Sequence, residues 1–150
     1  MILERGDMWS VFGKTDLFLI TTNPIVRKDG GAVMGRGIAK EAATRFPSLP
    51  FDFGTELKLW NMRAFIPPVG ELGNYDGQVV GWFMVKDHWA TPAKVAIIKE
   101  SVEALVVDVA PYFKRIDLNF PGIGNGKLKR EDVLPIIERL PDNVHVWEYK

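Results

Sequence analysis

Two glycine-rich segments, each set directly behind an apolar run, limit what this chain can fold into more than any other feature. Asp16 to Thr22 reads Asp-Leu-Phe-Leu-Ile-Thr-Thr, a nearly continuous apolar run of the kind found in a strand buried on both faces. After Asn23-Pro24 comes Asp29-Gly30-Gly31-Ala32-Val33-Met34-Gly35-Arg36-Gly37, which runs into Ile38, Ala39, Ala42, Ala43 and Phe46 at helical spacing. Pro47 stops that helix. Late in the chain, Arg115 to Phe120 alternates Ile116, Leu118 and Phe120 as a strand, and Pro121-Gly122-Ile123-Gly124-Asn125-Gly126 follows it. Strand, glycine loop, helix, repeated twice, is the signature of an α/β sheet.

The remaining segments fit the same class. Met1 to Glu4 and Asn143 to Glu148 read as strands, and so do Arg63 to Ile66 and Val79 to Lys86, joined by a loop from Pro67 to Gly77. Thr91-Pro92 is an N-cap and first-turn pair for a helix whose apolar set runs from Val95 to about Ala110. Glu131 to Leu140 reads as a short helix that accepts Pro135 only in its first turn. Between Pro47 and Asn61 the pattern predicts no more than a helical turn near Glu56. No repeat or low-complexity block divides the 150 residues, so one domain spanning 1–150 is expected.

Composition excludes several chemistries. There is no cysteine, hence no disulfide framework, thiolate nucleophile or Cys-based metal site. The only histidines, His88 and His145, are far apart, so neither a metal nor a cofactor is expected. Basic and acidic side chains balance at 19 each, which argues against a general nucleic-acid binder, whose phosphate contacts usually leave a basic excess. Trp60, Trp82 and Trp89 could stack on bases, although Trp82 lies within a predicted strand and reads as core. No apolar run approaches the roughly 20 residues that cross a bilayer, and the first seven residues carry charges of both signs. A soluble, cytoplasmic protein is expected.

In open α/β sheets ligands bind beyond the carboxyl ends of the strands. Glycine lets the backbone approach closely and point successive N–H groups at an anion, and a helix N-terminus behind the loop adds positive potential. Gly35 to Ile38 and Gly122 to Gly126 therefore read as a phosphate or diphosphate clamp, or else as tight turns alone. A Walker loop is excluded because Gly30 and Gly35 are followed by Arg36-Gly37, and a dinucleotide fingerprint because Lys40 stands where a small residue is needed. A second candidate is Val85-Lys86-Asp87-His88-Trp89. Lys86 ends an apolar run, where partial burial favours the neutral, nucleophilic amine, or it simply reaches solvent. Asn23 suits a sugar hydroxyl or the Asn-Pro turn.

Taken in order, Arg5-Gly6-Asp7-Met8-Trp9, Ile20-Thr21-Thr22-Asn23, Gly31-Ala32-Val33-Met34-Gly35-Arg36-Gly37-Ile38-Ala39 and Phe120-Pro121-Gly122-Ile123-Gly124-Asn125-Gly126 resemble the macrodomain family. The run Lys86-Asp87-His88-Trp89 is similar to the branch of DNA and glutamate ADP-ribosyl glycohydrolases, which includes the antitoxin partner of a DNA-modifying toxin. The resemblance extends from Gly6 to about Leu140 and implies a three-layer α/β/α fold around a mixed, mostly parallel sheet, with ADP-ribose or an ADP-ribosylated substrate at the strand ends.

It also implies roles. Asp7 would take the adenine amino group; Gly35, Gly37 and Ile38 one side of the diphosphate; Gly122, Ile123, Gly124, Asn125 and Gly126 the diphosphate and distal ribose. Met8, Thr22, Met34 and Pro121 would complete the ligand-binding set. Asn23 would approach the distal ribose, where Lys86 would attack the anomeric carbon. An aspartate that assists in that branch is replaced here by Lys129, and Asp87 or Asp29 would have to supply a carboxylate from another loop. Three activities follow as alternatives: ADP-ribosyl hydrolysis by Lys86, ADP-ribose 1''-phosphate hydrolysis, and binding without chemistry. A modified nucleic acid is one possible substrate.

Overall fold

Apolar runs form the middle of the sheet, where helices cover them on two sides. In the computed structural model, which describes residues 1–149, the strands are β1 (Ile2–Arg5), β2 (Leu17–Thr22), β3 (Val69–Tyr75), β4 (Gln78–Met84), β5 (Ile116–Asn119) and β6 (Val144–Glu148). They form one sheet in the order β1-β6-β5-β2-β4-β3. All neighbours pair in parallel except β3 with β4.

Alternation along β2 shows how the layers arise. Leu17 and Leu19 point to one face, where α3 (Val95–Ala104) and α4 (Arg130–Ile137) supply Ile98, Val102, Val133 and Ile137. Phe18 and Ile20 point to the other, against α1 (Gly37–Arg45) and α2 (Leu49–Met62), which supply Ala39, Ala42, Phe53 and Leu57. The chain is thus a three-layer α/β/α structure around a mixed, mostly parallel sheet, as the sequence resemblance implies. Each fully buried aliphatic or aromatic side chain in these layers contributes roughly 1.5–3 kcal/mol relative to exposure.

Six local expectations are corrected. The Pro47–Asn61 stretch, read as little more than a turn, is mostly the 14-residue helix α2. Pro50 falls in its first turn, where the missing N–H costs nothing, and Phe51, Leu59 and Met62 on the exposed side blur the periodicity of buried Leu49, Phe53 and Leu57. The expected strand at Arg63–Ile66 is instead the irregular exit from α2, and the expected loop beyond it contains β3. Gly70 and Gly73 disguise that strand: the Trp82 ring occupies the space a Gly70 Cβ would need, and the register shifts between Glu71 and Gly73. Asp76 and Gly77, at φ 50° and 85°, make the two-residue turn into β4, whose twist suits an antiparallel pair.

Helix α3 begins at Val95 with Lys94 as its N-cap, not at Thr91-Pro92. Its expected continuation to Ala110 loosens into a π-helical turn over Leu105–Val109. Pro135 sits inside α4 beyond its first turn, which leaves the exposed Glu131 carbonyl without an intrahelical donor.

Helix α2 matters for function because it backs the first glycine loop. Ala32 N–H donates to the Pro50 carbonyl at 2.7 Å, and a Cβ on Gly54 would collide with the Gly30 backbone. Gly54→Ala is therefore expected to lower stability by about 1–3 kcal/mol, the usual cost of overpacking, read as a fall in Tm; an unchanged Tm would show that α2 does not press on the loop.

Candidate functional site

Three adjacent parallel strands, β5, β2 and β4, end at the same edge of the sheet, and each exits into a segment singled out by the sequence. Side-chain hydrogen bonds fix those exits. Asn119, at the end of β5, accepts from Thr21 N–H at 3.2 Å and donates to Thr21 Oγ1 at 2.7 Å. Asn23, only 6% exposed, donates from Nδ2 to the Val33 carbonyl at 3.1 Å and accepts from Ile25 N–H at 3.0 Å. Its amide thereby pins the first glycine loop to the end of β2.

That loop is further closed by Asp29, which accepts from Gly31 N–H at 3.0 Å and pairs with Arg27 at 3.1 Å. It delivers the chain to α1 with Arg36 as an extended N-cap that makes no side-chain capping bond. The N–H groups of the first turn are thus uncapped by any side chain, and the helix dipole adds positive potential there. Gly37 takes φ 57°, and a Cβ placed on it would lie 3.4 Å from Asn125 Nδ2. The tips of the two glycine loops therefore meet across the site.

The second loop is equally constrained. Phe120 N–H donates to the Trp147 carbonyl at 2.8 Å, Leu128 N–H to Gly122 at 2.9 Å and Lys127 N–H to Gly124 at 3.0 Å. Gly122 has φ 80°, and a Cβ on it would strike Ile98 and Leu128; only glycine satisfies both demands. Ala93 N–H donates to the Gly126 carbonyl at 2.9 Å and Lys94 N–H to Val85 at 2.9 Å, stitching the loop to the segment that carries Lys86.

Between these segments lies a cleft of about 510 Å³, within the range of roughly 300–1,000 Å³ usual for small-molecule sites. It brings together Thr22, Asn23, Met34, Gly35, Gly37, Ile38, Lys86, Gly122, Ile123, Asn125 and Gly126. Four other sequence candidates do not line it. Asp7 caps the 3-10 turn Met8–Val11 by accepting from Trp9 N–H at 3.0 Å, Met8 is packed in the core beside α1 and α2, Pro121 is buried, and Gly124 faces solvent. Lys129 is the exposed N-cap of α4 and Asp87 pairs with Lys94 at 2.7 Å; neither lines the cleft.

The cleft adds residues the sequence reading did not select: Arg27, Arg36, Trp89, Asn119 and Phe120 among them. A rule that strand-end neighbours share a site would have found Asn119 and Phe120. Arg36 and Trp89 stand inside motifs already quoted. Among the described residues no carboxylate lines the cleft, whereas three cations do, so a neutral chain presents a positive site. Lys86 sits in that field, donating from Nζ to the Trp89 carbonyl at 3.3 Å. Burial, followed by the charges of Arg36 and Lys127, holds its ammonium below the usual lysine range.

No family model matches the chain, and no curated protein matches it by sequence. Solved structures do. The macrodomain of Mycobacterium tuberculosis DarG shares 26% identity over 99% of this chain and 97% of that one, with a TM-score of 0.71. The macrodomain of Thermus aquaticus DarG shares 23% over the same proportions, also at 0.71. The chain has the macrodomain fold. Thermosipho africanus DarTG, solved in complex with ADP-ribose, superposes at a TM-score of 0.77 with 19% identity; all of this chain matches, covering 42% of that one.

The electrostatics of the macrodomain cleft give a direct expectation. Removing either flanking cation relieves repulsion of the protonated amine, so Arg36→Ala and Lys127→Ala should each raise the Lys86 pKa. The pH at which Lys86 reacts with an amine-selective acylating reagent should move upward in both variants, followed by mass spectrometry of the Lys86 peptide. An unmoved profile would show that burial alone sets the amine.

Proposed function

We propose that the cleft binds ADP-ribose and that the protein hydrolyses ADP-ribosyl linkages, with Lys86 as nucleophile. The observation that carries this reading is the placement of one cation-flanked amine between two glycine loops on a macrodomain fold. The loop amides around Gly35 to Ile38 and Gly122 to Gly126 would hold the diphosphate, helped by the α1 N-terminus. The similarity to a protein solved with ADP-ribose supports that ligand.

In the reaction, the Lys86 lone pair forms a bond to the anomeric carbon of the distal ribose while the bond to the modified group breaks and its electron pair leaves with that group. The new ammonium loses a proton to solvent, and water then displaces the lysine and releases ADP-ribose. Among the described residues no carboxylic acid lines the cleft to protonate the leaving group, so its developing negative charge would be met by the positive field of Arg36 and Lys127. Asn23 is a neutral polar side chain at the β2 exit, and its existing bonds make it a support for the loop as well as a candidate contact for the ribose.

The lack of a cleft carboxylate also favours a second reading, in which the same pocket recognises ADP-ribose or its 1''-phosphate without using the lysine. Turnover separates the two. Lys86→Ala should abolish release of ADP-ribose from an ADP-ribosylated target while binding of ADP-ribose stays within a few-fold of wild type. Undiminished turnover in that variant removes the lysine mechanism, and appearance of inorganic phosphate from ADP-ribose 1''-phosphate with no release from the modified target would assign phosphatase activity instead.

A further inference from the structure

Among the described residues three cations line the cleft, and the reaction above leaves one of them, Arg27, without a role. Its backbone belongs to a tight loop. Val26 forms an antiparallel bridge with Ala32, Arg27 N–H donates to the Gly31 carbonyl at 2.7 Å, and Gly30 N–H donates back to the Arg27 carbonyl at 3.0 Å. The guanidinium is seated as firmly. Its Nε donates to Asp29 Oδ1 at 3.1 Å, its Cζ lies 5.8 Å from the centroid of the Phe51 ring, and it rests so close to the Gly31 backbone that a Cβ there would collide with Nη2. Asp29 takes only the Nε edge, and among the described residues no acceptor meets Nη1 or Nη2.

Charge and orientation indicate what those two nitrogens are placed to hold. Arg27 lines the cleft and Asp29 does not, so the ion pair turns its positive partner inward. Lys28 and Lys58 strengthen that bias: both are exposed, and Lys58 Nζ lies 3.4 Å from where a Gly30 Cβ would stand. The proposed diphosphate clamp draws on the other amides and on the α1 N-terminus, and the charges that depress the Lys86 ammonium are Arg36 and Lys127. Arg27 is thus a separate positive centre, which ADP-ribose, whose charge sits in its diphosphate, leaves unmatched. A planar guanidinium with both terminal nitrogens free suits the oxygens of a phosphate monoester. Because the surrounding loop already holds it in place, little ordering remains to be paid on binding.

We infer that Arg27 forms a further anion position in the cleft, apart from the diphosphate clamp, which takes a phosphate monoester carried on one of the two riboses of an ADP-ribosyl ligand. Arg27 is on that account a specificity-determining residue, and Gly31 is the position that seats it. This rests on the ADP-ribose reading of the cleft.

The test is a calorimetric comparison of three probes at neutral pH and moderate salt. They are ADP-ribose, ADP-ribose 2'-phosphate, and a non-hydrolysable phosphonate of ADP-ribose standing in for the 1''-phosphate. At least one of the two phosphorylated probes should bind about fivefold or more tightly than ADP-ribose, as expected for one charge-assisted bidentate contact at a half-exposed site; the probe that gains identifies the ribose. Arg27→Gln should bring the ratio of the two affinities back to about one, because the charge that made the gain is gone. Gly31→Ala keeps the charge but removes its seat, and should lower the same ratio. No gain for either phosphorylated probe, or a ratio unchanged in Arg27→Gln or in Gly31→Ala, would overturn the inference. Failure of ADP-ribose itself to bind the unaltered protein would instead overturn the reading on which it rests.

Discussion

β2 is flanked by parallel partners on both sides, and a parallel pair sends its chain exits to one edge of the sheet. Everything functional depends on that constraint. Once β4, β2 and β5 run the same way, Lys86, Asn23 and the second glycine loop have to emerge side by side. The continuous apolar character of Leu17–Ile20 makes this obligatory, because such a strand is stable only between neighbours and beneath helices on both faces.

The strand ends alone would not make a site. Loops built from glycine carry a large conformational entropy cost, and here it is offset by side-chain bonds from two asparagines. Asn119 bridges β5 to β2, and Asn23 ties the first loop to β2. Helix α2 presses on that loop from outside through Pro50 and Gly54, while Ala93 holds the second loop against the Lys86 segment. The amides are thus oriented before any ligand arrives, which is what a site of this kind needs to bind charge without paying for reorganisation.

Legibility from sequence followed the strength of local patterns. β2, α1 and both glycine loops could be read because their periodicity and breakers agree. β3 could not, since an edge strand carrying Gly70, Gly73 and Asn74 has no apolar alternation, and its fit depends on a Trp82 ring twelve positions beyond Gly70 in the chain. Helix α2 was hidden by apolar residues on its exposed side. At the site, the loop residues came from spacing, but the cation set did not, because Arg27 and Arg36, Lys86, and Lys127 come from three segments that only the sheet brings together. Asp7 stands in a familiar run, but that one of its oxygens caps the turn at Met8–Val11 could not be read from the run.

The central claim is that two glycine loops and a positive strand edge form a pocket for ADP-ribose. Calorimetric titration of the protein with ADP-ribose, with AMP as the control ligand at moderate salt, tests it most directly. The account predicts a dissociation constant near or below about 1 μM for ADP-ribose, equivalent to roughly 8 kcal/mol of binding free energy, and much weaker binding of AMP, which lacks the second phosphate and distal ribose. Equal affinities, or no heat with either ligand, would contradict it and return the two loops to the status of turns.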